Sequence, residues 1–257
     1  MTDTAPTAAP TPAEPGRPRV RLGKVLAVEY QLVLRSICTP GRLVAIGLLA
    51  AVSMLTAFGV RAESGGSLSA GVGFVNGNVA TLIPVAVLLF GAASLGDLID
   101  DGSLVYLWLR PVPSWVHVLA AWAATCTVVV PLVLVPMTLA AAFVHADATL
   151  VWSAALAGLV AVAAYGAIFV MMGVRFRRAL PWGLAYILIW EGFVASAGKT
   201  ATKLAVRSYV RSILASLNGT DLKLGDFSLG VGIVVPLVVA VVALAYATFR
   251  LSRTDVA

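Results

Sequence analysis

Apolar residues fill six long runs along the chain, at about Leu43–Val60, Val79–Gly96, Val118–Phe143, Leu150–Val174, Ala179–Ala197 and Leu229–Leu251, with short polar breaks between them. A helix needs about 20 mainly apolar residues to cross the hydrocarbon of a bilayer. Each run is long enough to span, the longer ones with tilt. Ahead of them Leu22, Leu26, Tyr30, Val33 and Ile37 recur at helical spacing, while Arg21, Lys24, Gln31 and Arg35 fall largely on another face. That is the pattern of an amphipathic helix resting among lipid headgroups or packed on protein. Thr39-Pro40-Gly41 breaks it. The pattern predicts an all-α membrane protein with six transmembrane helices preceded by an amphipathic interfacial helix over residues 20–37.

Composition strengthens this reading. Of 257 residues, 60% are hydrophobic and only 12% charged, with mean hydropathy +0.96; soluble domains average roughly 45–50% apolar and about 25% charged. Little chain remains for a soluble domain, so residues 20–257 read as one membrane domain. Residues 1–19, rich in Pro, Thr and Ala, read as a disordered cytoplasmic tail. That tail lacks the apolar stretch of a cleavable signal, so it is expected to be retained. The net charge of +6 does not imply nucleic acid, because basic residues of membrane chains gather at cytoplasmic borders. Cys38 precedes the first run and Cys126 lies inside the third, which argues against a disulfide framework or a thiolate metal site.

Counting Lys and Arg in alternating segments orients the chain. With both termini cytoplasmic, Arg17, Arg19, Arg21, Lys24, Arg35, Arg42, Arg110, Arg175, Arg177, Arg178, Arg250 and Arg253 lie inside, against Arg61, Lys199, Lys203, Arg207, Arg211 and Lys223 outside. One segment dissents. Lys199, Lys203, Arg207 and Arg211 recur every four residues and predict one basic helical face, with Val206, Val210, Ile213 and Leu217 on another. The expectation is an outer amphipathic helix within the 198–228 loop between spans 5 and 6, ended by Asn218-Gly219.

Candidate chemistry is sparse. Gly198-Lys199-Thr200 ends like a phosphate-binding loop, but position 193 is Phe rather than Gly, so this chain is not expected to bind ATP. Asp97, Asp100 and Asp101 cluster at the end of the second run, where carboxylates would hold Mg²⁺ for an intramembrane lipid-modifying reaction or form an acidic docking surface. His117 and His145 have no second ligand at metal spacing. Glu191 is the carboxylate well inside an apolar run. Charge there is expensive, so it is expected either on a translocation path or hydrogen-bonded to a neighbouring helix.

The segment Gly96-Asp97-Leu98-Ile99-Asp100-Asp101-Gly102-Ser103-Leu104-Val105-Tyr106-Leu107-Trp108-Leu109-Arg110-Pro111-Val112-Pro113-Ser114, with the basic ending Phe249-Arg250-Leu251-Ser252-Arg253-Thr254-Asp255-Val256, resembles the ABC type 2 permease family, the membrane subunits of ATP-binding-cassette exporters. Ser103 stands where that family usually has Thr. The resemblance implies an amphipathic helix before six spans and a cytoplasmic coupling helix within the 97–117 loop. Asp97, Asp100, Asp101, Gly102, Ser103, Leu104, Leu107, Arg110 and Pro111 would then engage the ATPase, while Glu191 is the translocation-path candidate from its place inside an apolar run. It implies a bacterial plasma-membrane exporter of two permeases, identical or paralogous, with two ABC ATPase subunits that carry the ATP and Mg²⁺. This chain would hold no cofactor, its partners would include membrane lipid but no nucleic acid, and its cargo would be amphiphilic. A stand-alone secondary transporter or channel coupled through Glu191 is the alternative.

Overall fold

The structure, a computed structural model, describes residues 22–100, 112–193, 199–222 and 227–253. The 1–19 tail and residues 101–111, including Asp101, Gly102, Ser103, Leu104, Leu107, Arg110 and Pro111, lie outside them. Every regular element among the described residues is helical: α1 (Leu22–Ile37), α2 (Pro40–Ser64), α3 (Leu68–Asp100), α4 (Ser114–Val144), α5 (Ala148–Arg175), α6 (Ala179–Ala185, running straight into a π-helical segment Tyr186–Phe193), α7 (Lys199–Thr202), α8 (Val206–Asn218) and α9 (Leu229–Ser252). Five of these, α2, α3, α4, α5 and α9, are long and apolar enough to cross a membrane. The chain is a multi-pass membrane protein.

Local chemistry sets the helix limits. Pro40 stands in the first turn of α2, where its missing N–H is not needed, and Gly65 closes that helix in the left-handed conformation, φ 60°. The Ser67 hydroxyl accepts from the Ala70 amide and starts α3. Asp147 caps α5 by accepting from the Leu150 amide at 3.0 Å. Gly219, φ 61°, ends α8 as Asn218-Gly219 predicted. Pro131 lies within the π-helical turn Val130–Leu134 inside α4 and Pro136 just beyond it, where a missing donor and a steric clash loosen the regular ladder.

α3 begins at Leu68, well before the apolar run at Val79. Among the intervening polar residues Asn78 is paired within the protein: Ser53 of α2 donates to Asn78 Oδ1 at 2.8 Å, and Asn78 donates to the Phe74 carbonyl at 2.9 Å. α3 and α5 form the centre of the bundle. Small residues let them approach. A Cβ placed on Gly173 would lie 2.7 Å from the Ala92 carbonyl oxygen, and one on Gly96 would lie 3.6 Å from Gly173. Such contacts suit a bilayer, where helix association relies on close packing. α2 and α9 leave most of their apolar surface exposed, as lipid-facing helices do.

Contacts between helix ends define two poles. Arg42 at the start of α2 meets Asp97 near the end of α3, and Gly96 meets Gly173 near the end of α5. At the other pole Arg61 donates to the Phe143 carbonyl, its guanidinium 5.0 Å from the Phe143 ring centroid. There His145 Nδ1 lies 2.7 Å from the Gly66 carbonyl oxygen.

The region between α6 and α9 departs from expectation. Lys199, Lys203, Arg207 and Arg211 do not share one helical face, because Lys203–Ala205 breaks the chain between α7 and α8. Nor is α8 a helix lying on a surface. Val206, Ser208, Tyr209, Val210, Arg211, Ser212, Ile213 and Leu214 are all buried, against α5 and α9 chiefly. Four-residue periodicity cannot reveal a turn placed inside it, and the turn leaves Lys203 exposed while Arg211 is buried.

Candidate functional site

Glu191 faces the start of α8. The π-helical end of α6 carries it into the protein, where it is 2% exposed. Oε1 accepts from the Tyr186 hydroxyl at 2.9 Å and from the Val206 amide at 3.1 Å, while Oε2 accepts from the Arg207 amide at 3.2 Å. The Arg207 guanidinium reaches the Glu191 carbonyl oxygen at 3.5 Å. Val206 and Arg207 open α8, so the carboxylate caps a helix from 15 residues upstream. It satisfies two amides that lack intrahelical partners and meets the positive end of the helix dipole.

This junction lies deep in the bundle. The Tyr165 hydroxyl of α5 stands beside the same carboxylate. At 1.5 Å per residue, Tyr165 lies roughly 26 Å along α5 from Ala148 and about 15 Å from Arg175. The other end of α8 sits near the start of α5, where Asn218 donates to Ser153 Oγ at 2.8 Å. α6 therefore rises alongside the second half of α5, and α8 continues alongside the first half. Phe169 extends the site as an aromatic wall, its ring 6.0 Å from Tyr165 and 6.2 Å from Tyr186, centroid to centroid.

A second polar cluster flanks the segment singled out in the sequence. Asp97 accepts from Arg42 at 2.5 Å, with its side chain about half exposed. Asp100 closes α3. Beyond the segment, in the first turn of α4, His117 Nδ1 stands 3.4 Å from Glu29 Oε2 of α1, both side chains buried. Thus the Arg42–Asp97 ion pair ties α2 to α3, while Glu29 and His117 bring α1 and α4 into buried contact. Glu29 carried no signal in the sequence, because its partner lies 88 positions away by subtraction of the two residue numbers.

Between α2 and α3 a lateral groove of about 450 Å³ is lined by Val52, Ser53, Thr56, Gly73, Gly77 and Thr81 among others. Its hydroxyls are satisfied internally: Thr56 donates to the Ser53 carbonyl and Thr81 to the Gly77 carbonyl, each at 2.8 Å. Among the described residues no three His, Cys, Asp or Glu side chains converge as metal ligands would. No family model and no curated protein matches the chain.

Proposed function

We propose that this chain is the permease subunit of an ABC exporter in a bacterial plasma membrane, paired with a second permease and two ATPase subunits that hold ATP and Mg²⁺. The observation that carries this reading is the bracing of the 97–117 segment. It leaves from α3, the central and most covered helix, and returns into α4. The Arg42–Asp97 ion pair on one shoulder holds it to α2, and the buried Glu29–His117 contact on the other packs it against α1. A partner pulling on a segment so anchored would move the middle of the bundle, because packed helices shift as rigid units.

Orientation follows from the same pole. Arg35, Arg42, Arg175, Arg177 and Arg178 border it and favour the cytoplasm. The dissenting arginines no longer count against this, since Arg207 and Arg211 belong to the enclosed α8 rather than to an outer loop. In this reading α6 and α8 in series make the sixth crossing, broken at Glu191, and both termini are cytoplasmic. Broken helices are tolerated at membrane depth where protein satisfies the freed backbone groups. The cargo is amphiphilic, because a largely apolar path would desolvate a highly charged solute at great cost.

Co-expression with candidate nucleotide-binding subunits tests the reading. The complex should co-purify, and Asp101→Arg or Leu104→Arg should release the ATPase while leaving the helices folded. Solute movement by the purified chain without ATP would instead favour the secondary-transporter reading. The discontinuity at Glu191 suits that reading too, since such transporters place substrate and ion sites at helix breaks.

A further inference from the structure

The turn from α5 into α6 carries three arginines in four positions, Arg175, Arg177 and Arg178, around Phe176. All three are exposed. Elsewhere in the bundle arginines meet oxygens of the protein: Arg42 pairs with Asp97, Arg61 bonds the Phe143 carbonyl and Arg207 the Glu191 carbonyl. Among the described residues no such oxygen reaches Arg175 or Arg177. Like charges this close repel, and a compact run of them is unfavourable until an anion sits among them.

Aromatic contacts hold the turn in shape. Phe176 stacks on Trp182 of α6, ring centroids 5.4 Å apart and planes at 23°, and the Arg175 guanidinium carbon lies 5.2 Å from the Phe176 ring centroid. Arg178 takes the left-handed conformation, φ 57°, and is the one non-glycine residue to do so among the described residues. That conformation is uncommon for a residue with a side chain and persists only where surrounding contacts fix it. It lets the chain double back, so that Trp182 returns onto Phe176. A guanidinium already seated on an aromatic ring loses less freedom when it grips an anion, and its planar fork matches phosphate oxygens.

Next to the arginines the surface turns apolar. Trp182 is 57% exposed, and Leu180, Leu184 and Leu188 are exposed along the same stretch of helix. Tryptophan favours the boundary between headgroups and acyl chains, where its ring is half apolar and half polar in surroundings. Cations at the head of an apolar strip match the two parts of an acidic lipid, whereas the acidic face of a soluble protein would leave the strip unused. We propose that the Arg175–Trp182 turn is a binding site for an anionic phospholipid. Arg175 and Arg177 hold the headgroup, Arg178 adds positive charge, and the acyl chains lie along the exposed leucines of α6. Binding requires neither an ATPase nor transport, so it stands or falls apart from the permease reading.

The test reconstitutes the full chain in bilayers of phosphatidylcholine and phosphatidylglycerol, in which one lipid or the other carries bromine near the headgroup end of its acyl chains and quenches nearby tryptophan. The difference in fluorescence between wild type and Trp182→Phe isolates quenching at the site, because a phenylalanine ring can keep the stack on Phe176. Phosphatidylglycerol should be preferred there by about fivefold or more, the effect of one basic residue near an anionic surface. Arg175→Gln combined with Arg177→Gln should bring the ratio near unity. Raising salt from about 0.01 M to about 1 M, which shortens the screening length from about 30 Å to about 3 Å, should do the same in the wild type. Equal quenching by the two lipids in the wild type overturns the proposal and leaves these arginines to an acidic protein surface. A preference unchanged in the double variant overturns it too, since it then owes nothing to the arginines. If that variant fails to fold, a preference unchanged by salt has the same force.

Discussion

Tyr186 and Glu191 lie five residues apart on one helix, and the tyrosine hydroxyl donates to the glutamate carboxylate at 2.9 Å. In an α-helix, at about 100° per residue, residues five apart point some 140° away from each other. The π-helical winding of Tyr186–Phe193 brings them to one side, because its hydrogen bonds run from i to i+5. The local distortion thus builds the polar junction that joins α6 to α8.

Removing the carboxylate should therefore cost more than removing its charge. Glu191→Ala leaves a hydroxyl and two amides without an acceptor, at about 1–3 kcal/mol for each buried group that water cannot reach. Glu191→Gln keeps one acceptor oxygen but turns the other into a donor, so it leaves at least one of these groups unpaired, at about 1–3 kcal/mol, and also loses the dipole interaction, about 0.5–2 kcal/mol. Thermal unfolding in detergent should rank wild type above Gln and Gln above Ala. Equal midpoints for all three would show that the junction does not hold the bundle together.

Much of the architecture was legible in the sequence because apolar length and helical period are local properties. Pro40 and Gly219 marked real ends for the same reason. What escaped was long-range pairing. Glu191 announced itself as an expensive charge, yet its partners are backbone amides and a tyrosine on a non-α turn, which no periodicity reports. The four-residue spacing of Lys199, Lys203, Arg207 and Arg211 pointed to one exposed helix; a turn made it two helices, the second enclosed. The candidate coupling residues from Asp101 to Pro111 rest on their resemblance alone, while their flanks are held by the Arg42–Asp97 ion pair and the buried Glu29–His117 contact.

Acid should weaken the cap of α5. The hydrogen bond from the Leu150 amide holds the Asp147 carboxyl below the usual aspartate range. A group whose folded-state value is depressed stabilises the fold above its unfolded value, near 3.9, and loses that contribution as pH falls through the folded one. Asp147→Asn keeps an acceptor but does not titrate. Midpoints measured from pH 7 to pH 3 should therefore show wild type ahead at neutral pH and the difference shrinking below pH 4. A constant difference would place the acid sensitivity elsewhere.

Close packing between α3 and α5 predicts a sharp contrast among glycines. Gly173→Ala would push a methyl carbon to 2.7 Å from the Ala92 carbonyl oxygen, which backbone cannot yield cheaply. Overpacking of this kind costs about 1–3 kcal/mol. Gly47→Ala on the lipid-facing α2 meets nothing within 4 Å and should be neutral or slightly stabilising. If both variants unfold at the wild-type midpoint, the α3–α5 contact is looser than its geometry implies.

Cys38 sits half-buried at the corner between α1 and α2, next to the pole assigned to the cytoplasm, and Cys126 lies within α4. A membrane-impermeant maleimide should label Cys38 in inside-out vesicles and leave intact cells unlabelled, with Cys38→Ser abolishing the signal. Labelling from the outside would reverse the orientation and remove the 97–117 segment from reach of any ATPase.

The Arg42–Asp97 pair allows structure and docking to be separated. Because the Asp97 side chain is about half exposed, its pairing with Arg42 should contribute only about 0.2–1 kcal/mol. Either Arg42→Ala or Asp97→Asn should then leave the protein folded. Exchanging the charges, Arg42→Asp with Asp97→Arg, restores attraction between α2 and α3 but presents a cation where the partner would meet an anion. If Asp97 touches the ATPase, the exchanged protein should regain wild-type stability while losing co-purification of the ATPase. If stability and co-purification return together, Asp97 serves to hold α2 against α3, and contact with the motor must begin further along the segment, at Asp100 or beyond.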